Sequence, residues 1–166
     1  MAQAGATRIP GASGESVTKR LTQELMQVMM ESDVNATAFP PDESNLFLWH
    51  GKVTGAEGTV YEGLQYKLSI EFPENYPYSA PTCKFVTPCF HPNVDGYGNI
   101  CLDILKEAWS ATYSVQSILH SLRSLLSDPN PDSPLNNDAA KLWLSRNFEA
   151  YRETLLSKNP EALTKK

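Results

Sequence analysis

The chain has 166 residues, of which 41% are hydrophobic and 20% charged, with a formal net charge of −5. This is enough for one domain with a proper core. The acidic balance, and the lack of a Lys/Arg cluster interleaved with aromatics, argue against nucleic acid as a partner, and no apolar run approaches the roughly 18 residues that span a bilayer.

The first sixteen residues are mostly small or polar, with no apolar signal-peptide core and no periodicity, so residues 1–16 are expected to be a disordered extension of a soluble, intracellular protein. Apolar residues then recur at Val17, Leu21, Leu25, Val28 and Met29, which predicts a helix, with Lys19, Arg20, Gln23 and Glu24 on its other face. Asn35 to Asn45 reads as a loop through Pro40-Pro41. Three strands are predicted next: Leu46 to Val53, Val60 to Leu64, and the alternating Lys67 to Phe72. In the last of these, Leu68, Ile70 and Phe72 face the core.

Pro73 stops that strand for want of an N–H, and three prolines in the nine residues Pro73 to Pro81 predict a rigid loop presenting or packing Tyr76 and Tyr78. Thr82 to Val86 is a fourth short strand, with Cys83 as a small core residue. The short connections imply an antiparallel meander. Leu102 to Lys106 is a helical turn. Ser114 is an N-cap for the clearest helix, carrying Val115, Ile118, Leu119, Leu122, Leu125 and Leu126. Asp128 to Pro134 ends it. A further helix is expected to be capped by Asp138 and to carry Ala139, Ala140, Trp143 and Leu144. A last one, Phe148 to Ser157, carries Tyr151, Leu155 and Leu156, and the polar tail from Asn159 is expected to fray. The fold class is therefore α+β: an N-terminal helix, a four-stranded antiparallel meander, a structured loop, a central helix and two C-terminal helices. The domain proper runs over 17–158, with a tail at 159–166.

Chemistry concentrates between Pro88 and Ser110. Cys101 lies ten residues after His91, and Asp95-Gly96 and Gly98-Asn99 supply turns that fold Asn93 back toward it. A thiol beside a carboxamide suits acyl chemistry, with sulfur as nucleophile or acyl carrier. Asn93 either stabilises an oxyanion or supports the loop. Pro92 biases His91 to extended backbone, so His91 either holds the loop or serves as a base for the thiol. Cys83, Cys89 and Cys101 show no Cys-x-x-Cys spacing, so no metal site is expected, and reduced thiols fit a cytosolic or nuclear compartment. Gly51-Lys52 precedes Val53, and Gly96-Tyr97-Gly98 lacks a third glycine. No nucleotide loop and no bound cofactor are expected, and any ATP is used by another protein.

His91-Pro92-Asn93, then Gly98-Asn99-Ile100-Cys101-Leu102-Asp103, then Trp109-Ser110, resembles the active-site signature of ubiquitin-conjugating enzymes, a resemblance running from about Thr18 to Ser157. It implies that Cys101 takes ubiquitin as a thioester from the ATP-using activating enzyme and passes it to a substrate lysine on a RING ligase. It implies a loop-holding role for His91, and contacts with ligase or activating enzyme at Lys19, Arg20, Tyr78, Ser110 and Ala111, where Ala111 replaces a frequent Pro. Asp132 and Ser133 are implied as the gate for the acceptor lysine, with Ser133 where many members carry Asp. Thr37-Ala38-Phe39-Pro40, Gly58 to Glu62, Asp103 to Glu107 and Ser133 further resemble the cyclin-selective conjugating enzymes associated with the anaphase-promoting complex. That resemblance implies mitotic cyclins as substrates in cytoplasm and nucleus. The other functional classes are a non-catalytic ubiquitin-binding variant, a conjugating enzyme for another ubiquitin-like modifier, and a cysteine hydrolase.

Overall fold

A computed structural model describes residues 12–163. Among them, four strands, β1 (Ala36–Phe39), β2 (Leu48–Thr54), β3 (Gln65–Glu71) and β4 (Thr82–Phe85), form one antiparallel sheet in the order β1-β2-β3-β4. Helix α1 (Ala12–Glu31) precedes the sheet, and α2 (Val115–Ser127), α3 (Asn137–Leu144) and α4 (Phe148–Lys158) follow it. Single 3₁₀ turns occupy Asp103–Leu105 and Pro160–Ala162.

Helix α1 starts at Ala12, inside the stretch expected to lack structure; residues 1–11 and 164–166 lie outside the described residues. Its buried stripe is Val17, Leu21, Glu24 and Val28, whereas Met29 is 68% exposed. The i, i+3/i+4 spacing puts Glu24, not Met29, in line with Val17 and Leu21. A carboxylate can occupy such a position only when donors surround it.

Four strands were expected and four form, but one is a different segment. β1 lies in the stretch read as a loop, pairing Ala36 with Val53 and Phe39 with His50. Its Ala-Thr-Ala-Phe is too short for periodicity to stand out. Val60 to Leu64 is no strand. Gly58 and Gly63 take positive φ of 78° and 74°, and the chain turns repeatedly around a fully buried Tyr61.

One sheet face carries Trp49, Val53, Tyr66, Leu68, Ile70, Cys83 and Phe85 into the core, against Ile118, Leu119, Leu122 and Leu126 of α2. Ser114 caps α2 in a capping box with Ser117. The cap of α3 is Asn136, accepting from the Ala139 N–H, rather than Asp138, which sits in the first turn. Leu144 points to solvent. The segment after α4 docks instead of fraying: Asn159 and Ala162 are buried, and Leu163 pairs with Leu64.

Candidate active site

The segment from Phe90 to Cys101 is held from three sides. At its start, Phe90 N–H donates to Asn159 Oδ1 at 2.6 Å and Phe90 C=O accepts from Tyr61 Oη at 2.6 Å. Tyr151 Oη bonds both Tyr61 Oη and the same carbonyl. Burial pushes both phenols well above the ordinary tyrosine value, so they stay neutral.

His91 is fully buried. Its Nδ1 accepts from Asn93 N–H at 3.0 Å and its Nε2 lies 2.7 Å from the Leu125 carbonyl, which can only accept. The ring is therefore the Nε2–H tautomer. Burial lowers its pKa from 6.5 to about 4, against a raising contribution from the Leu125 carbonyl. With both nitrogens engaged, the ring is a strut between this loop and the end of α2.

Asn93 is also fully buried. Its Nδ2 donates to Asn130 C=O at 2.7 Å and Ser133 C=O at 3.3 Å, and its Oδ1 accepts from Asn130 N–H at 2.8 Å. Pro92 C=O accepts from Leu135 and Asn136 N–H at 2.8 and 3.1 Å. Two neighbouring residues thus hold the loop that follows α2. That loop leaves the side chains of Asp132 and Ser133 exposed.

Beyond Asn93 the chain forms a short hairpin. Val94 pairs with Ile100, and Cys101 N–H donates to Asn93 C=O at 2.9 Å. The Asp95 carboxylate accepts from Tyr97 N–H, Asn99 N–H and Asn99 Nδ2 at 2.9, 2.9 and 2.8 Å, which fixes the tip. Gly98 has φ of +84°, and a Cβ there would fall 2.0 Å from the Phe85 carbonyl oxygen, so the site needs glycine twice over.

This hairpin delivers a half-buried Cys101, whereas Cys83 and Cys89 are buried. Burial pushes the Cys83 thiol up to about 12 and the Cys89 thiol higher still. Those two are packing atoms, and Cys101 is the thiol open to chemistry. Among the described residues no group of three His, Cys, Asp or Glu side chains converges as metal ligands would, and no helix is long and apolar enough to cross a membrane.

A second patch gathers the other expected contact residues. Tyr76 packs in the core, whereas Tyr78 is 82% exposed. Trp109 Nε1 donates to Pro77 C=O at 2.8 Å, bringing the Ser110–Ala111 loop against them. Lys19 is exposed, but Arg20 is not a free cation. Its Nη2 donates to Ala111 C=O at 3.0 Å and Tyr113 C=O at 2.8 Å, and its Nε pairs with Glu24 at 3.1 Å. Glu24 also accepts from Tyr76 Oη at 2.6 Å and from Val115 N–H at 2.7 Å. It joins α1, the proline loop and the start of α2. The one sequence signal for it is an acid four residues after Arg20, falling on an apolar stripe.

Residues 20–157 match the family model described as ubiquitin-conjugating enzyme. The chain belongs to the ubiquitin-conjugating enzyme family. It is 55% identical over 148 residues to "Ubiquitin-conjugating enzyme E2-20 kDa" of Schizosaccharomyces pombe, covering 89% of this chain and 84% of the relative. It is 44% identical over 137 residues to "Ubiquitin-conjugating enzyme E2 N" of Drosophila melanogaster, covering 82% and 90%. The α+β fold, with α1 ahead of a four-stranded antiparallel sheet, is that of the family. The chain is thus a transferase that works through a thioester, with ubiquitin, an activating enzyme and ligases as partners. Tyr61, Asn130, Tyr151 and Asn159 complete the site's framework and were not singled out from sequence, because their partners lie 29 to 90 positions away.

Proposed function

We propose that Cys101 is the residue that carries ubiquitin. Its thiolate attacks the thioester carbonyl presented by the activating enzyme. A new S–C bond forms, the old one breaks, and the activating enzyme's thiolate leaves. A substrate lysine amine then attacks the Cys101 thioester. The tetrahedral oxyanion collapses to an amide, Cys101 departs as thiolate, and the amine proton passes to water. Exchange between thioesters is nearly balanced in energy, so no strong base is required. The observation that carries this assignment is the half-buried thiol at the end of a hairpin bonded to Asn93, with the two other thiols buried.

In this reading Asn93 and Pro92 hold the Asp132–Ser133 loop beside the thiol. Ser133 then orients the incoming amine by its hydroxyl, and no ATP or other cofactor is bound by this chain. Lys19, Tyr78, Ser110 and Ala111 meet activating enzyme and ligase, with Arg20 fixing the backbone of that patch from inside. The finer assignment is to the anaphase-promoting complex and mitotic cyclins, in nucleus and cytoplasm. It is supported by the segments Thr37 to Pro40, Gly58 to Glu62 and Asp103 to Glu107 together with Ser133.

The test is a charging assay with ubiquitin, activating enzyme and ATP on reducing and non-reducing gels. The native chain and the Cys83→Ser and Cys89→Ser variants are expected to form a thiol-sensitive adduct, and Cys101→Ser a thiol-stable oxyester. An adduct that survives in Cys101→Ser as a thioester would overturn the assignment. The finer reading is tested by ubiquitin transfer to a cyclin fragment on the reconstituted complex, against an unrelated RING ligase. Equal rates on both would count against it.

A further inference from the structure

Asn159 closes α4, and its side chain reaches back 69 positions to take the Phe90 N–H on Oδ1 at 2.6 Å. Tyr61 and Tyr151 Oη hold the Phe90 C=O at the same time. The N–H and the C=O belong to the two planar peptide units that flank the Phe90 Cα. Gripping both fixes the direction in which the chain leaves this residue. Asn159 is 3% exposed and Phe90 4%, so water cannot stand in for the bond. Upstream, the chain is tied to β3 at Thr87, whose hydroxyl accepts from Lys67 N–H at 2.9 Å. Between Thr87 and His91, among the described residues, only Asn159, Tyr61 and Tyr151 bond the main chain. Arg152 of α4 donates to Val60 and Glu62 C=O at 2.6 and 3.0 Å and so brackets Tyr61 as well. The setting of Phe90 therefore comes from α4 and the residue that closes it.

The two halves of the site depend on this setting unequally. The hairpin that carries Cys101 has its own tie to the sheet: Phe85 N–H of β4 donates to Gly98 C=O at 2.9 Å, and Lys84 pairs with Asn99. The loop that carries Asp132 and Ser133 hangs instead on Asn93 and on Pro92 C=O, two residues past Phe90, which accepts from Leu135 and Asn136 N–H. A slack Phe90 moves that loop against a thiol that β4 keeps in place. Resting on the assignment of Cys101 and the Asp132–Ser133 loop above, we infer that Asn159 is a positioning residue for ubiquitin transfer. Through Phe90 and Pro92 it sets the loop that receives the acceptor lysine against the Cys101 thioester.

The experiment uses the full chain, charged with ubiquitin and then discharged onto free lysine without ligase. The temperature is one at which circular dichroism shows each variant folded. Asn159→Leu keeps the volume and removes the acceptor, with Asn159→Ala in its place should the leucine not fold. Asn159→Asp keeps an oxygen for the Phe90 N–H. The acceptor-less variant is expected to charge at the native rate. Its discharge at saturating lysine falls about threefold to tenfold, a fraction of the roughly hundredfold that a 1 Å misplacement costs. Asn159→Asp restores discharge toward native. Hydrogen exchange speeds up at the Leu135 and Asn136 N–H and stays native at the Phe85 N–H, a pattern that a purely structural role would not produce. Native discharge in the folded acceptor-less variant would overturn the inference. So would an equal fall in charging and discharge, or an Asn159→Asp variant no faster than the acceptor-less one. A native chain that never charges at Cys101 would overturn the assignment beneath it as well.

Discussion

Asn93→Ala removes three hydrogen bonds, at 2.7, 2.8 and 3.3 Å, that hold the loop after α2. Each buried polar group left without a partner costs about 1–3 kcal/mol. Asn130 is exposed, so its freed N–H and C=O regain water and the cost stays at the low end for each. The sum is about 2 kcal/mol, or about 4–8 °C in Tm for a domain of this size. Pro92 C=O still holds Leu135 and Asn136, so the loop should loosen between Asn130 and Ser133 without detaching. Hydrogen exchange should therefore speed up at the Asn130 N–H and change little at the Leu135 N–H. Charging of Cys101 and transfer to lysine should both fall, transfer more, because Ser133 loses its backbone anchor. If Asn93 instead acts only on the developing oxyanion, transfer falls about 10²–10³-fold while Tm, exchange and charging remain native. That combination would refute the loop-holding account.

Folded His91 titrates near pH 4 and the unfolded residue near 6.5. Between those values the unfolded chain binds a proton that the folded chain does not, so stability is full above pH 6.5 and falls as pH drops toward 4. The loss reaches about 3 kcal/mol, and His91→Gln should flatten that part of a urea-midpoint profile taken from pH 7.5 to 4.5. Glu24→Gln turns an amide N–H₂ toward at least one of three donors, and should lower stability by about 2–3 kcal/mol. In single-turnover assays at a permissive temperature it should slow ligase-stimulated discharge more than unaided discharge, because the Ala111 and Tyr113 carbonyls lose their fixed partner. Asn159→Ala leaves the buried Phe90 N–H unpaired and should cost about 1–3 kcal/mol in thermal unfolding, whereas a truly frayed tail would show no change.

The features legible in the sequence are those whose cause is local. Lys67 to Phe72 alternates, so β3 could be read directly. Ser114 and the leucines after it give α2. Proline and glycine placement marks the loop before Cys101. The features that were not legible depend on distant partners. β1 is a strand because β2 offers it an edge, not because Ala-Thr-Ala-Phe prefers one. Val60 to Leu64 has strand-like residues, but two glycines at positive φ and a buried Tyr61 turn it. The family resemblance implied a contact role for Arg20, and only the fold shows three acceptors converging on its guanidinium. Asn93 was left open between two roles, and its partners at Asn130 and Ser133 lie 37 and 40 positions away.

The same geometry separates an acyl carrier from a cysteine hydrolase. A hydrolase attacking a stable amide needs an imidazole that can take the thiol proton. The histidine nearest Cys101 in the motif has no nitrogen to lend. Nδ1 holds the Asn93 N–H, Nε2 donates to Leu125 C=O, and burial keeps the ring neutral down to about pH 4. Turning the ring toward the thiol would break both bonds and leave two buried main-chain groups unpaired, at about 1–3 kcal/mol each. A site built this way cannot cleave an amide unaided. It can exchange one thioester for another, where the leaving thiolate is as good as the attacking one. The driving force must then arrive with the ubiquitin, already activated elsewhere.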